Sequence, residues 1–336
     1  MGAEMTAQKD AVLVTGGAGY VGSHVAKALA TAGHLPVTFD NLSKGFRRAV
    51  KWGPLITGDL HDEVVLKQAC RDYQFCGVIH LAAYTDVQES VDNPLKYFRN
   101  NVGGSEKLLS EMVNAEIANI VFSSTCSLYG NIETSVISEA VPPNPMNPYA
   151  QSKWTVEQML RAAGTAHGIR SVSLRYFNAA GADPDGEIGE NHDPETHLIP
   201  LVLQTAAGLR PHIDVFGDDY PTPDGTAVRD YVHVSDLADA HVAALEWMLN
   251  GGESLTLNLA NGQGHSVRNV IEAAGKITDR NIPTQIKARR PGDPPELIGD
   301  ASLAHRILGW KPARSGLENQ IADAWRWLNR DDALTG

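Results

Sequence analysis

Short runs of apolar, often β-branched residues alternate with longer amphipathic stretches over residues 11–170. Six runs stand out, at 11–14, 36–39, 55–57, 78–81, 120–122 and 172–174. Runs this brief and this uniformly apolar suit strands covered on both faces, as in a parallel sheet. The periodic stretches between them predict helices at 20–32, 62–73, 94–115 and 149–166, with Asn93-Pro94 starting the third. Strand–helix alternation over such a length predicts an α/β fold, a doubly wound open sheet.

Beyond about residue 180 the pattern loosens. Residues 181–196 are rich in Gly, Pro, Asp and Glu and read as a long loop. A helix is expected near 198–208, a strand at 213–216, a loop at 217–227, a helix at 235–249, a strand at 255–259 and a last helix near 316–329. With 336 residues the chain is long for one compact unit and comfortable for two lobes. The expected division is 10–180, with later segments returning to it, and a smaller, loop-rich C-terminal lobe over 181–330 that lies over the sheet and completes a pocket.

Composition narrows the class. Hydrophobic residues at 43% and charged residues at 20% belong to an ordinary folded protein. With 28 basic against 40 acidic residues the net charge is −12, and no stripe of Lys and Arg forms, so neither nucleic acid nor a membrane is expected as a partner. Three cysteines, Cys70, Cys76 and Cys126, none at metal-ligand spacing with His, argue against a disulfide framework or a metal site. Met1-Gly2 followed by Thr6 matches a loose myristoylation pattern that lacks a second membrane signal. With no apolar leader segment, a cytoplasmic location is expected.

The first strand runs directly into Gly16-Gly17-Ala18-Gly19-Tyr20-Val21-Gly22. Glycines at 16, 19 and 22 permit a tight turn, a close approach of backbone N–H groups to a pyrophosphate, and helix-on-strand packing. This is the strand–turn–helix setting that a Rossmann-type dinucleotide site requires. Asp40 ends the second strand 18 residues after Gly22, where its carboxylate can accept bonds from an adenosine ribose. A 2′-phosphate would meet that charge, so NAD is the expected cofactor.

Tyr149 and Lys153 stand four residues apart on a predicted helix and so share a face. A free tyrosine ionises near pH 10, leaving about one molecule in a thousand as tyrosinate at pH 7. Bringing that pKa near 7 takes roughly 4 kcal/mol, within reach of a partly buried ammonium aided by a positive nicotinamide ring. The result is a base for a sugar hydroxyl. Such a pair on any surface helix would mean little. Here Pro148 starts the helix, and Ser123-Ser124-Thr125 end a strand whose carboxyl end points into the ligand crevice. Thr125 is placed to bond the same hydroxyl and relay its proton.

Further segments extend the pattern over nearly the whole chain: Val87-Gln88-Glu89-Ser90, Asn100-Asn101-Val102, Arg175-Tyr176-Phe177-Asn178, Asp219-Tyr220-Pro221-Thr222, Val228-Arg229-Asp230-Tyr231 and Arg289-Arg290-Pro291-Gly292-Asp293. With them the sequence resembles the UDP-glucose 4-epimerase family of extended short-chain dehydrogenase/reductases, whose glycines share the three-and-three spacing. The resemblance implies a cofactor site from Gly16, Gly19, Tyr20, Val21, Gly22, Asp40, Asn41, Asp59, Leu60, Leu81, Ala82, Ala83, Asn100, Ser123, Tyr149, Lys153 and Tyr176. Asp59 and Leu60 would border the adenine, and Leu81–Ala83 would run under the nicotinamide ribose. For the UDP-sugar it implies Thr125, Tyr149, Asn178, His197, Leu198, Val215, Phe216, Arg229, Arg290 and Asp293. Of these Asn178 and the two arginines would meet the diphosphate, Leu198 and Phe216 the uridine, and Asp293 a ribose. Two guanidiniums at a diphosphate make charge-assisted, often bidentate bonds. It further implies a homodimer through the helices at 94–115 and 149–166.

The implied chemistry is C4 epimerisation, with Tyr149, Lys153 and Thr125 catalytic: the C4 hydroxyl is oxidised, the 4-keto sugar turns about its diphosphate linkage, and the other face is reduced. Dehydration and decarboxylation both need a carboxylate beside Thr125, where Cys126-Ser127-Leu128 stand instead. A non-catalytic NAD-binding regulator would have no use for the Tyr–Lys pair. The sugar stays open. Thr85, His197 and Leu297 occupy positions where relatives vary, and Leu297 is intermediate in size for a gate on N-acetyl sugars. UDP-N-acetylglucosamine and the UDP-xylose/UDP-arabinose pair therefore remain alternatives to UDP-glucose/UDP-galactose, since a pocket that takes a hexose rejects a pentose weakly.

Overall fold

The computed structural model describes residues 10–132, 136–290 and 293–330. The Gly2–Thr6 pattern, Pro291 and Gly292 lie outside the described residues. Seven parallel strands form the central sheet in the order β10-β6-β5-β4-β1-β2-β3. These are β1 (Ala11–Thr15), β2 (Leu35–Asp40), β3 (Leu55–Thr57), β4 (Phe75–His80), β5 (Asn119–Thr125), β6 (Arg170–Tyr176) and β10 (Leu255–Leu259). The apolar runs are uniform because each strand serves two cores. Val12 and Val14 face one side of the sheet with Val25 and Leu29 of α1 (Tyr20–Thr31) and Leu237 and Leu245 of α8 (Val234–Leu249). Leu13 faces the other, with Leu66 of α2 (Glu63–Asp72), Leu108 and Met112 of α5 (Gly104–Asn114), and Val156 and Leu160 of α6 (Pro148–His167). The last sheet strand and α8 thus come from the second half of the chain.

The helix expected at 94–115 is not uniform. Short helices α3 (Val87–Asp92) and α4 (Pro94–Tyr97) lead into a π-helical turn at Phe98–Gly103, and only then does α5 begin. That turn carries Asn100 and Asn101, and inserted turns of this kind commonly re-aim side chains. The expected strand at 55–57 and those at 213–216 and 255–259 have the bounds read from sequence.

A second, smaller sheet is built around β9 (Val228–His233), which pairs in parallel with β7 (Asn178–Ala180) and β13 (Glu296–Leu297) and antiparallel with β11 (Gly264–Ser266). A two-stranded parallel pair joins β8 (Ile213–Phe216) to β12 (Thr284–Lys287). Helices α7 (Leu198–Ala206), α9 (Val267–Thr278) and α11 (Leu317–Leu328) enclose a core of Ile199, Val202, Val270, Ala274 and Ile321. Helix α10 (Ser302–Leu308) returns to β10. Among the described residues no helix is long and apolar enough to cross a membrane.

Candidate active site

Two segments expected to line a dinucleotide touch each other. Gly16 has φ +73, and a Cβ there would stand 2.7 Å from the Ala82 nitrogen, so the glycine turn lies directly against residues 81–83. The Leu81 N–H donates to the Thr15 carbonyl at 3.0 Å, fixing the approach. Gly22 is closed in the same way, its Cβ falling 2.1 Å from the Gly16 oxygen. Gly19 differs: a Cβ would meet only the Gly16 oxygen, at 3.3 Å. As N-cap of α1 it offers no side-chain acceptor to the first-turn N–H groups of Tyr20, Val21 and Gly22. An open, uncapped helix start fits a pyrophosphate.

Around it stand the other residues expected to hold a cofactor. Asp40 ends β2 and accepts from the backbone N–H of Ala18 at 3.0 Å and of Leu42 at 2.8 Å. Burial raises its pKa while those two N–H groups pull it back. Asn41 donates to Asp59 at 2.7 Å, and Leu60 is buried next to them. The Asn100 amide donates to Asn101 at 2.9 Å, and the Asn101 side chain clips both backbone groups of Tyr84 and bonds Ser152 of α6. Tyr20 has turned its hydroxyl elsewhere, donating to the Gly181 carbonyl at 2.6 Å.

At the carboxyl end of β5, Ser123, Ser124 and Thr125 are buried. The Asn147 side chain caps α6 by accepting from Ala150 at 2.9 Å, and Pro148 opens the helix. Tyr149 and Lys153 therefore sit in its first turns, 9% and 2% exposed. The Lys153 ammonium donates to the Ser123 carbonyl at 2.8 Å and lies 5.0 Å from the Phe122 ring centre. Burial lowers its pKa to about 7. Ser123 and Tyr176 share a hydroxyl–hydroxyl bond of 2.5 Å.

The protein groups around the Tyr149 phenol work against its ionisation. Burial pushes the Tyr149 phenol above its ordinary pKa, Tyr176 adds to the rise, and only the Thr125 hydroxyl pulls it down. Desolvation of both groups opposes the charge that the Lys153 ammonium and a positive nicotinamide ring are expected to favour.

A buried network behind the pair escaped the sequence reading. Glu157, one helical turn beyond Lys153, accepts from Arg175 at 2.9 and 2.6 Å and from Ser124 at 2.6 Å. Arg175 also donates to Tyr129, whose hydroxyl donates to Asn258 of β10. This network locks α6 onto β5 and β6. Its signal was an acid and a base standing in otherwise apolar patterns, on α6 and β6.

The residues expected to grip the substrate lie on and beside the two smaller sheets. Asn178 opens β7, and Leu198 opens α7. Val215 is buried in β8, and the Arg290 guanidinium lies 4.1 Å over the Phe216 ring next to it. Arg229 of β9 forms an ion pair with Asp293 and donates to the Val228 carbonyl at 2.7 Å. Three backbone N–H groups, of Asn261, Gly262 and Gly299, converge on the Asp230 carboxylate at 2.8–3.2 Å and hold β9 in place. Arg289 pairs with Asp219 at 2.7 Å. His197 does not join this group directly: its Nδ1 lies 2.8 Å from Glu190 and 2.9 Å from Glu195.

Residues 12–260 match the model of a family described as NAD dependent epimerase/dehydratase. The chain belongs to that family. Among members of the epimerase/dehydratase family, it is 48% identical over 320 residues to the UDP-glucose 4-epimerase of Streptococcus mutans, covering 94% of this chain and 96% of that one. The structure of UDP-glucose 4-epimerase from Brucella ovis in complex with NAD superposes with a TM-score of 0.92 at 48% identity, over 94% of this chain and 97% of that one. The UDP-Glc/GlcNAc 4-epimerase of Campylobacter jejuni superposes with a TM-score of 0.83 at 38% identity, over 95% and 98%. The family's cofactor NAD fits the residues present: an uncapped helix start, space over Gly19 and a buried carboxylate at the end of β2.

Proposed function

We propose that this chain is a UDP-glucose 4-epimerase, interconverting UDP-galactose and UDP-glucose at sugar carbon 4. The observation that carries this reading is the desolvated Tyr149–Lys153 pair at the end of β5, with Thr125 acting on the phenol, inside a fold of that family. NAD, when bound, supplies the acceptor that removes the C4 hydrogen with its electron pair and gives it back, and in oxidised form adds a positive charge. Tyr149, as phenolate, takes the C4 hydroxyl proton and later returns it to the oxygen. Lys153 favours the phenolate, and Thr125 bonds the same oxygen and keeps the proton path short. Arg229 and Arg290 grip the diphosphate, Leu198, Val215 and Phe216 the uridine, and Asn178 the phosphate oxygens, with Asp293 released to a ribose. A firm hold on UDP and a loose hold on the sugar let the 4-keto intermediate turn over.

The same reading divides the chain into an NAD-binding lobe over 10–180, joined by β10 and α8, and a UDP-sugar-binding lobe over 181–330. It places the protein in the cytoplasm as a homodimer. Val87, Val91 and Leu95 are exposed beside the α5–α6 pair, which supports pairing on that face. Incubation with UDP-galactose without added NAD, followed by proton NMR of the anomeric signals, tests the function. Appearance of UDP-glucose, abolished in Tyr149→Phe, supports it. No conversion even with NAD supplied overturns the hexose assignment, and the same assay with UDP-N-acetylglucosamine and UDP-xylose decides whether a different sugar is the substrate.

A further inference from the structure

Two clusters of potential ligands stand along the loop before α7, and they differ in how their charge is met. Asp183, Asp185 and Glu187 surround the Lys27 ammonium at 2.8–2.9 Å, which accounts for them. Glu190 and Glu195 face two imidazoles instead. Both carboxylates are 7% exposed, and one donor atom from each of Glu190, His192, Glu195 and His197 falls within 4.8 Å of all the others.

The four side chains converge on one small volume. The Nδ1 atoms of His192 and His197 both aim at the same Glu190 oxygen, at 3.1 and 2.8 Å, while the rings lie 5.1 Å apart. Two imidazoliums would balance the two carboxylates in charge, though they set two positive rings side by side. A divalent cation answers both carboxylates at once and lets both nitrogens present lone pairs. Donors about 2.0–2.1 Å from a tetrahedral ion stand roughly 3.3 Å from one another. The four imidazole-to-carboxylate separations are 2.8, 2.9, 3.1 and 3.7 Å, with His197 meeting one Glu195 oxygen and His192 the other.

We propose that Glu190, His192, Glu195 and His197 form a closed, four-ligand structural site for one divalent transition-metal ion, zinc. Two imidazoles with two carboxylates suit zinc better than the all-oxygen cages of calcium or magnesium. The site is anchored on several sides. Trp327 of α11 donates to the Glu190 carbonyl at 2.9 Å, the Tyr20 ring packs edge-on to His192, and the N–H groups of Thr196 and His197 donate to Glu195. A cavity of about 50 Å³ is lined by Glu190, His192 and Glu195 with Leu203 and Trp327. All four ligands come from one eight-residue segment, so the metal closes this loop just before α7, against Tyr20 of α1 and Trp327 of α11. The sequence signal is Glu-x-His-x-x-Glu-x-His, invisible to a search built on cysteines.

The test is elemental analysis of tag-free protein purified without chelator, followed by stripping and calorimetric titration with zinc chloride at pH 7.5. About one zinc per chain is expected, with reloading raising Tm by about 5 °C or more. The double variant His192→Ala/Glu195→Gln, checked for native circular dichroism and NAD content, is expected to bind none. Should that variant not fold, His192→Gln alone is expected to weaken zinc binding at least about tenfold. Wild-type protein that takes up no zinc below about 100 µM, far weaker than structural sites bind, overturns the proposal. So does a folded double variant that keeps the wild-type stoichiometry.

Discussion

The chemical end of the site and its gripping end are built on opposite plans. Tyr149, Lys153 and Thr125 are all under 10% exposed and stand on the central sheet and a capped helix, with the Glu157–Arg175 network locked behind them. Arg229, Asp293, Arg289 and Asp219 instead come from strand ends and loops, and the exposure of their side chains runs from 13% to 73%. At the first, burial moves pKa values and the geometry is fixed before substrate arrives. At the second, opposite charges hold one another, and on the proposed function an arriving diphosphate would exchange one partner for another. Proton transfer demands the first arrangement, and release of product the second.

The largest effect is expected from Tyr149→Phe. It removes one oxygen from a fixed site, so kcat should fall about 10³–10⁴-fold while the melting temperature holds. Loss of the fold instead would mean that the phenol is structural. Glu157→Gln tests the support: it leaves the Arg175 guanidinium, buried with it, short of a counter-charge, and urea unfolding should show about 3–5 kcal/mol of lost stability.

Lys153→Met should cost about 10²–10³-fold in kcat yet raise stability in acid. Burial lowers the folded-state pKa to about 7 from an ordinary 10.5. The folded chain must therefore carry an unwelcome charge below about pH 7, and that penalty fades as pH climbs toward 10.5. The gain in Tm from the substitution should be largest near pH 6 and shrink steadily toward pH 10. A constant gain would assign it to packing. The smallest effect is expected from Arg229→Ala: UDP affinity falling about 10–50-fold by calorimetry with kcat within about twofold. A large drop in kcat would place Arg229 at the chemical end.

What could be read in the chain followed the same divide. The glycine turn, Asp40, Thr125 and the Tyr149–Lys153 pair are local patterns on regular elements, and three residues of turn or four of helix fix their relations. The Arg229–Asp293 pair joins residues 64 positions apart, and β10 reaches β6 across some eighty residues, so neither follows from spacing. The strand at 228–233 escaped notice because Arg229 and Asp230 interrupt its apolar pattern. The π-turn at 98–103 keeps a helix-like composition, so periodicity merged it with its neighbours. Desolvation of the Tyr149 phenol was illegible for a different reason: a helix face shows which groups are neighbours but not how much water they have lost.

The parallel sheet sends every strand's carboxyl end to the edge that carries the chemistry, which leaves the opposite edge to short returns. Three of them contain Gly33, Gly168 and Gly251, which face open space but hold positive φ, so attachments belong on the residues beside them. For protein engineering this makes the molecule two-sided. Fluorophores, surface linkers or a fused domain placed at those returns would stand a full strand length from Tyr149 and leave the reacting edge untouched.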